Sequence, residues 1–331
     1  MRKNHGKLLI LLLCAVLLTG CAAQGDQNRT VSPQGESRAA EQKPRLPDRL
    51  RTNSDGVPLI RVYQTDEEET LTLDVEEYLL GVVAGEMKND WPLEALKAQA
   101  ILARTFVMKF CAEKKSKYPD ADISTDVEEA QAYDPTGVND RVEQAVRETR
   151  GLVLSHDGEF PYAWFHAHSG GVTALAKEGL NWEKEEPGYT QAVRGMDSED
   201  APEETRQWQA SFSKDQVLSA AKKAGLTENA SSLTSISVGD RGQSGRAVTI
   251  LINGRGVPAA EMRLALGGTK MRSTLLTSLK LEGDQVSMAG KGYGHGVGMP
   301  QWGAYALANE GKSARDIVTY YFRDVTVEKL W

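Results

Sequence analysis

Four stretches of the chain hold residue types that could do chemistry, and the first centres on Glu86 in VVAGEMKNDWP. A carboxyl among Val82, Val83, Ala84, Met87 and Trp91 is disfavoured in its charged form. The negative end of a helix would add to that effect. A glutamic acid still protonated near neutral pH is what a general acid requires. The plainer reading is a solvated glutamate at a helix end, and these residues alone favour it. The second stretch is Lys97, Ile101, Arg104 and Met108, spaced i, i+4, i+7 and i+11 on one helix face. Its cations would either aim at a polyanionic or polyhydroxylated ligand or lay their stems over the helix surface.

The third stretch is WFHAHSGG. His166 and His168, two apart on a strand, would share a face about 6–7 Å apart. A zinc pair is one reading, but no cysteine is near and the other mature histidines are only His156 and His295. Hydrogen-bonded histidines in a polar cleft fit better. Ser169, Gly170 and Gly171 form a sharp turn where backbone can approach a ligand closely. The fourth is GKGYGHGVGMPQWGA, with glycine at 290, 292, 294, 296 and 298. It lacks the Gly-Lys-Ser/Thr ending of a phosphate loop and the G-x-G-x-x-G spacing. Either it presents Tyr293, His295, Gln301 and Trp302 to a sugar, or it is a turn packed into the core.

These residues need elements to position them. PLIRVYQ and TLTLDV alternate and read as strands, and Asp74 is placed to cap a helix through VEEYLLGVVAGEM. WPLEALKAQAILARTFVMKFCAEK reads as a second helix with Pro92 in its first turn. Residues 116–138 read as loop, and VNDRVEQAVRETRG as a helix stopped by Gly151. LVLSHDGEFPYAWFHAH is patterned as a hairpin turning at Asp157-Gly158. Residues 183–206 read as an acidic surface loop. Ser213 heads a short amphipathic helix, LTSISVGDRGQSGRAVTILING reads as a further hairpin, and PAAEMRLAL as a helix. A strand, QVSMAGK, leads into the glycine run, and Gly311 stops the helix PQWGAYALANEG. The order is irregular, with no βαβ repetition, so the expected fold class is α+β.

The chain's 331 residues carry 39 Lys+Arg against 46 Asp+Glu, an acidic balance that argues against a general nucleic-acid binder. Three cysteines exclude a disulfide scaffold. Arg2, Lys3 and Lys7 precede an uncharged run from Leu8 to Leu18, shorter than the span of about 20 residues a membrane helix needs. The run ends Leu18-Thr19-Gly20-Cys21, which resembles a bacterial lipobox; the alternative is a signal anchor in which Cys21 is incidental. Lipidation at Cys21 would hold the mature protein on the extracytoplasmic face of the cell membrane. Loss of the signal takes the net charge from −7 to −10. The expected organisation is a signal at 1–20, a flexible tether at 21–57 and a folded part at 58–331.

GVVAGEMKNDWPLEALKAQAILARTF, AYDP, FHAHSGGVT and GKGYGHGVGMPQWGAYALANEG, in that order, resemble the stage II sporulation protein D family and its related amidase enhancers. The resemblance implies a lytic transglycosylase that cuts the β-1,4 bond between N-acetylmuramic acid and N-acetylglucosamine in peptidoglycan and leaves a 1,6-anhydro end. It places the catalytic glutamate at Glu86, helix cations at Lys97 and Arg104, and the serine-glycine turn at Ser169, Gly170 and Gly171. It also directs His168 and His295 toward the cleft, with Gln301 among the binding residues. Some family members carry zinc with cysteine ligands; with no cysteine near HAHSGG, neither metal nor cofactor is expected here. The implied partners are glycan strands, and an amidase and a membrane protein acting during forespore engulfment. An enhancer that binds peptidoglycan without cutting it, and a muramidase using water with Glu94 or Asp90 as second carboxylate, stand as alternatives.

Overall fold

The computed structural model describes residues 43–227 and 230–331. The expected signal, Cys21 and the tether up to residue 42 lie outside the described residues. The first elements are β1 (Arg51–Thr52), β2 (Pro58–Gln64), β3 (Glu69–Asp74), α1 (Val75–Glu86) and α2 (Leu93–Glu113). Next come β4 (Ile123–Ser124), α3 (Asp140–Glu148), β5 (Leu152–Ser155), β6 (Phe165–His166), α4 (Ala176–Leu180) and α5 (Glu203–Arg206). A middle block holds β7 (Gln207–Ser213), α6 (Lys214–Lys223), β8 (Ile236–Val238), β9 (Thr249–Ile252) and β10 (Arg255–Pro258). It continues through α7 (Ala259–Leu266), β11 (Leu276–Glu282) and β12 (Gln285–Lys291). Last come β13 (Met299–Pro300), α8 (Gln301–Asn309), α9 (Ala314–Tyr321) and β14 (Thr326–Lys329).

This is a mixed α+β fold of several small sheets around two apolar cores. The first core joins β2, α1, α2, α3 and β5 to α8 and α9 from the far end of the sequence. The second lies in the middle block, between the β11-β12-β7 and β10-β9-β8 sheets and helices α6 and α7. On β2 the buried Ile60 and Val62 flank the exposed Arg61, the period-two pattern of a half-buried strand. Asp74 accepts the Glu77 N–H at 2.9 Å while the Glu77 carboxylate accepts the Asp74 N–H at 3.1 Å. That reciprocal cap starts α1 where the sequence predicts. α2 is buried on most sides at the centre of the first core, its polar Gln99, Arg104 and Thr105 included.

Two sequence expectations fail here. Residues 43–57, expected in the tether, belong to the fold: Pro44 and Pro47 are buried, Leu46 and Leu50 pack on the first core, and β1 pairs with β2. Composition does not show that Leu46 and Leu50, beside the buried Pro44 and Pro47, pack against the first core. The LVLS…FHAH segment forms no hairpin beyond a single bridge between His156 and Glu159. β5 pairs instead with β14, antiparallel, and β6 with β13, in parallel. Both partners lie far along the chain, beyond what a local turn signal can specify.

Arg104 explains why α1, α2 and β5 lock together. Its guanidinium is fully buried and meets Glu76 through Nη2 at 2.6 Å and Nε at 3.0 Å, with Nη1 donating to the Leu152 carbonyl at 3.0 Å. Glu76 also accepts the Gly151 N–H at 3.1 Å and the Trp331 indole N–H at 2.8 Å. Removing one member of a buried pair leaves the other charge uncompensated, at about 3–5 kcal/mol. Glu76→Ala should therefore lower folding stability by about that amount in urea titration, and adding Arg104→Met should recover part of the loss.

Candidate active site

The Glu86 carboxyl sits at the last turn of α1, 3% exposed. Gly81 and Gly85, one turn apart, leave that helix face bare. A Cβ on Gly81 would run into the Tyr133 ring, and one on Gly85 would stand 2.8 Å from the Ala132 carbonyl carbon. The bare face lets the 130–134 segment lie directly on α1. Its Ala132 N–H donates to Glu86 Oε1 at 2.7 Å, and the Asp134 N–H donates to the Gly81 carbonyl at 2.9 Å. From the other side, Gln301 at the start of α8 donates Nε2 to the Glu86 carbonyl at 3.0 Å and to Oε2 at 3.4 Å. Burial pushes the carboxyl up to about 7, against the opposing pull of the Ala132 N–H and Gln301. Near neutrality the group therefore divides between its protonated form and its carboxylate, so it can both give and take a proton. Trp91, which follows α1, and Trp302 and Tyr305 of α8 pack on one another with ring centres 4.5–5.2 Å apart, and Lys88 lies over Trp302.

Only Gln301 of the other predicted site residues touches Glu86. Arg104 is corrected: sealed in the core against Glu76, it has no surface for a ligand. Lys97 is held by Glu94 at 2.8 Å and by Glu148. Burial opposes its charge, but the bonds to Glu148 and Glu94 outweigh that and keep its ammonium above the ordinary range. Lys97 thus pins α2 to α3.

His168, Ser169, Gly170, Gly171 and His295 build the joint between the two cores. Ser169 is fully buried: its hydroxyl donates to Asp197, and its carbonyl accepts from the buried Arg246. His168 Nδ1 accepts the Gly170 N–H at 3.0 Å and lies 3.6 Å from Asp197. With the serine already spent on the aspartate, this trio has no nucleophile–base pair. Gly170 fits its positive φ of 76° against Leu275 and the Lys291 backbone, while Gly171 is exposed with open space around it. His295 Nδ1 accepts the Val297 N–H at 3.0 Å. Its ring is pushed down to about 3 by burial and by the Arg263 and Arg246 guanidiniums. The glycine run therefore serves packing: a Cβ on Gly294 would stand 2.6 Å from the Cβ of His166, and one on Gly296 would strike Arg246.

His166 pairs Nδ1 with the Val297 carbonyl, while the Nδ1 atoms of His168 and His295 accept backbone N–H groups. Cys111, the one described cysteine, is buried on α2 with its thiol pushed up to about 11 by burial. Among the described residues no three His, Cys, Asp or Glu side chains gather as ligands.

A stage II sporulation protein (SpoIID) family model matches residues 63–156, the stretch from β2 through Glu86 and α2 to β5. The chain is 31% identical over 257 residues to an uncharacterized protein of Brachyspira hyodysenteriae, covering 77% of this chain and 67% of that one. It is 27% identical over 339 residues to stage II sporulation protein D of Bacillus subtilis, covering 97% and 93%. The chain belongs to the stage II sporulation protein D family. A model of a domain of unknown function, DUF8618, matches residues 167–298, which hold the joint and the second core. An amidase enhancer of Bacillus subtilis is 28% identical over 293 residues, 75% of this chain and 40% of that protein.

Sequence reasoning missed the segment that lies on α1 beside Glu86, where Ala132 meets the carboxyl and Tyr133 covers Gly81. The signal was available in Gly81 and Gly85, which mark where another segment approaches the helix.

The raised carboxyl has a consequence for stability. Between about 4.5 and about 7 the unfolded chain has released the Glu86 proton and the folded chain retains it. Stability from this group is therefore fully present below pH 4.5 and falls as pH rises through 7. The stability difference between Glu86→Gln and wild type should grow in favour of the variant from pH 4.5 to 7 and level off above it. Urea midpoints at a series of pH values check this; a flat difference would mark an ordinary solvated glutamate.

Proposed function

We propose that this protein is a peptidoglycan lytic transglycosylase that cuts the β-1,4 bond between N-acetylmuramic acid and N-acetylglucosamine. The observation that carries the reading is the buried carboxyl of Glu86, which burial pushes up to about 7. As the acid, Glu86 gives its proton to the glycosidic oxygen while the bond from C1 to that oxygen breaks. The muramic C6 hydroxyl attacks C1, and its proton passes to the Glu86 carboxylate. This closes the 1,6-anhydro ring and restores the acid with no water consumed. A substrate hydroxyl already held near C1 supplies the advantage of an intramolecular nucleophile. Hydrolysis would normally call on a second carboxylate. Glu94 is committed to Lys97 and, through Oε2 at 2.7 Å, to the Ala314 N–H at the head of α9. A sugar reaches the carboxyl only after the wall around it opens, since Glu86 is 3% exposed.

The relatives named for sporulation and for amidase enhancement support a setting in forespore engulfment, alongside an amidase and a membrane partner. We place the protein on the outer face of the cell membrane, held by lipid on Cys21. Among the described residues no helix is long and apolar enough to cross a membrane.

The chain from Ala22 onward, incubated with peptide-free glycan strands, should release products one water lighter than hydrolysis products, read by mass spectrometry. Glu86→Gln should slow that release by about 10²-fold or more. Free reducing ends would indicate a muramidase, and binding without cleavage an enhancer. In the full chain, Cys21→Ala should release the protein from membranes; full retention on fractionation would make the apolar run itself the anchor.

A further inference from the structure

A second concave site lies toward the other end of α1 from Glu86. A cleft of about 410 Å³ opens between the turn after β1, the first turns of α1 and the last turns of α3. That volume falls within the range of small-ligand sites, about 300–1,000 Å³. Glu76 in its lining precedes Glu86 by ten positions on α1, about 15 Å along the helix axis, so the cleft is separate from the candidate active site.

The lining has three parts. Val57, Leu80 and Val146 supply apolar surface. Asp55 on the turn, with Asp74 and Glu77 at the head of α1, supplies carboxylates. Arg147 and Arg150, one helical turn apart at the end of α3, supply guanidiniums, and Glu143 precedes Arg147 by one turn. Opposite charges lining one cleft can pair with each other, and here they do not. Among the described residues Asp55, Glu143, Arg147 and Arg150 make no side-chain hydrogen bond or ion pair. Glu143 and Arg147 stay apart although their i, i+4 spacing would allow a pair. Asp74 and Glu77 each spend one oxygen on the reciprocal cap of α1.

A ligand that answers this lining carries both charges. A plain cation would face the two guanidiniums, and a plain anion would face the carboxylates. A zwitterion on a short apolar chain meets all three parts. Its carboxylate suits the planar forks of the arginines, its ammonium suits the carboxylates, and its chain covers the valines and Leu80.

We propose that this cleft binds the zwitterionic amino-acid head of a peptide side chain, the group that uncrosslinked diaminopimelate presents in cell-wall peptides. The inference rests on the glycan-cleaving reading for the source of the peptide alone. It gives the protein a hold on wall material that still carries peptides, apart from the strand that Glu86 cuts.

The probe is the tripeptide L-alanyl-γ-D-glutamyl-meso-diaminopimelate, titrated calorimetrically into the chain from Ala22 onward. Two blocked forms dissect the head, one with its distal amine acetylated and one with its distal carboxylate amidated. Wild type should bind the unblocked tripeptide at least about tenfold more tightly than either, because each block removes a charged hydrogen-bonding group. The double variant Arg147→Gln, Arg150→Gln should lose most of its preference over the amidated form and keep its preference over the acetylated one. The double variant Asp55→Asn, Glu143→Gln should do the reverse. A folding defect would weaken all three probes alike and could not produce that crossing. No binding of the unblocked tripeptide overturns the proposal, as does equal binding of the three forms by wild type. Preferences left unchanged in both variants overturn it as well. The tripeptide has no glycosidic bond, so the two readings fail separately: the crossing without cleavage of glycan strands rejects the lyase alone, and anhydro products without tripeptide binding reject the cleft alone.

Discussion

The structure turns on keeping one carboxyl out of water. Glu86 is placed at the end of a helix that is itself core, so its desolvation comes with the fold and needs no separate lid. Three chain regions must meet to achieve it: the end of α1, the 130–134 segment and the start of α8. The donors that reach the carboxyl are one backbone N–H at 2.7 Å and one amide at 3.4 Å. That is enough to orient the group and too little to hold it ionised against burial. A further close cation would reverse the balance. The two cations of α2 that the sequence points to are engaged elsewhere, Lys97 by two carboxylates and Arg104 by Glu76.

The second core supports this arrangement from a distance. Arg246, buried, reaches from the middle block to the carbonyls of Ser169 and Val172, while Glu178 of α4 accepts from Ser244 and the Arg246 N–H. These bonds fix the HAHSGG turn against the glycine run. The run then leads through β13, paired with β6, straight into Gln301. Motif residues that look catalytic in isolation therefore work as a joint that delivers one amide to Glu86. Substitutions there would act on the site through position, not chemistry.

Local signals were legible where local physics decides. The Asp74 cap, the strands around Ile60 and Leu71, the Ser213 cap and the β8–β9 hairpin follow from residues close in sequence. The apolar setting of Glu86 was legible too, because its neighbours on α1 are also its neighbours in space. Arg104 shows the limit. Its helical spacing with Lys97 is right, but spacing does not show whether a face looks to solvent or to Glu76. Pairings such as β5 with β14 and Gln301 with Glu86 depend on partners far along the chain, and no short-range pattern encodes them. The 116–138 stretch reads as loop and lacks periodicity, so AYDP stands out as a motif without showing that the Ala132 N–H meets Glu86.

The central claim is that Glu86 is an acid whose proton is retained near neutrality. Its carboxyl carbon can be followed by carbon-13 NMR in protein labelled at glutamate, with Glu86→Gln used to assign the resonance. The account predicts a titration midpoint near 7, well above the ordinary 4.5. A midpoint at or below 4.5 would mean a solvated or ion-paired carboxylate and would contradict the account.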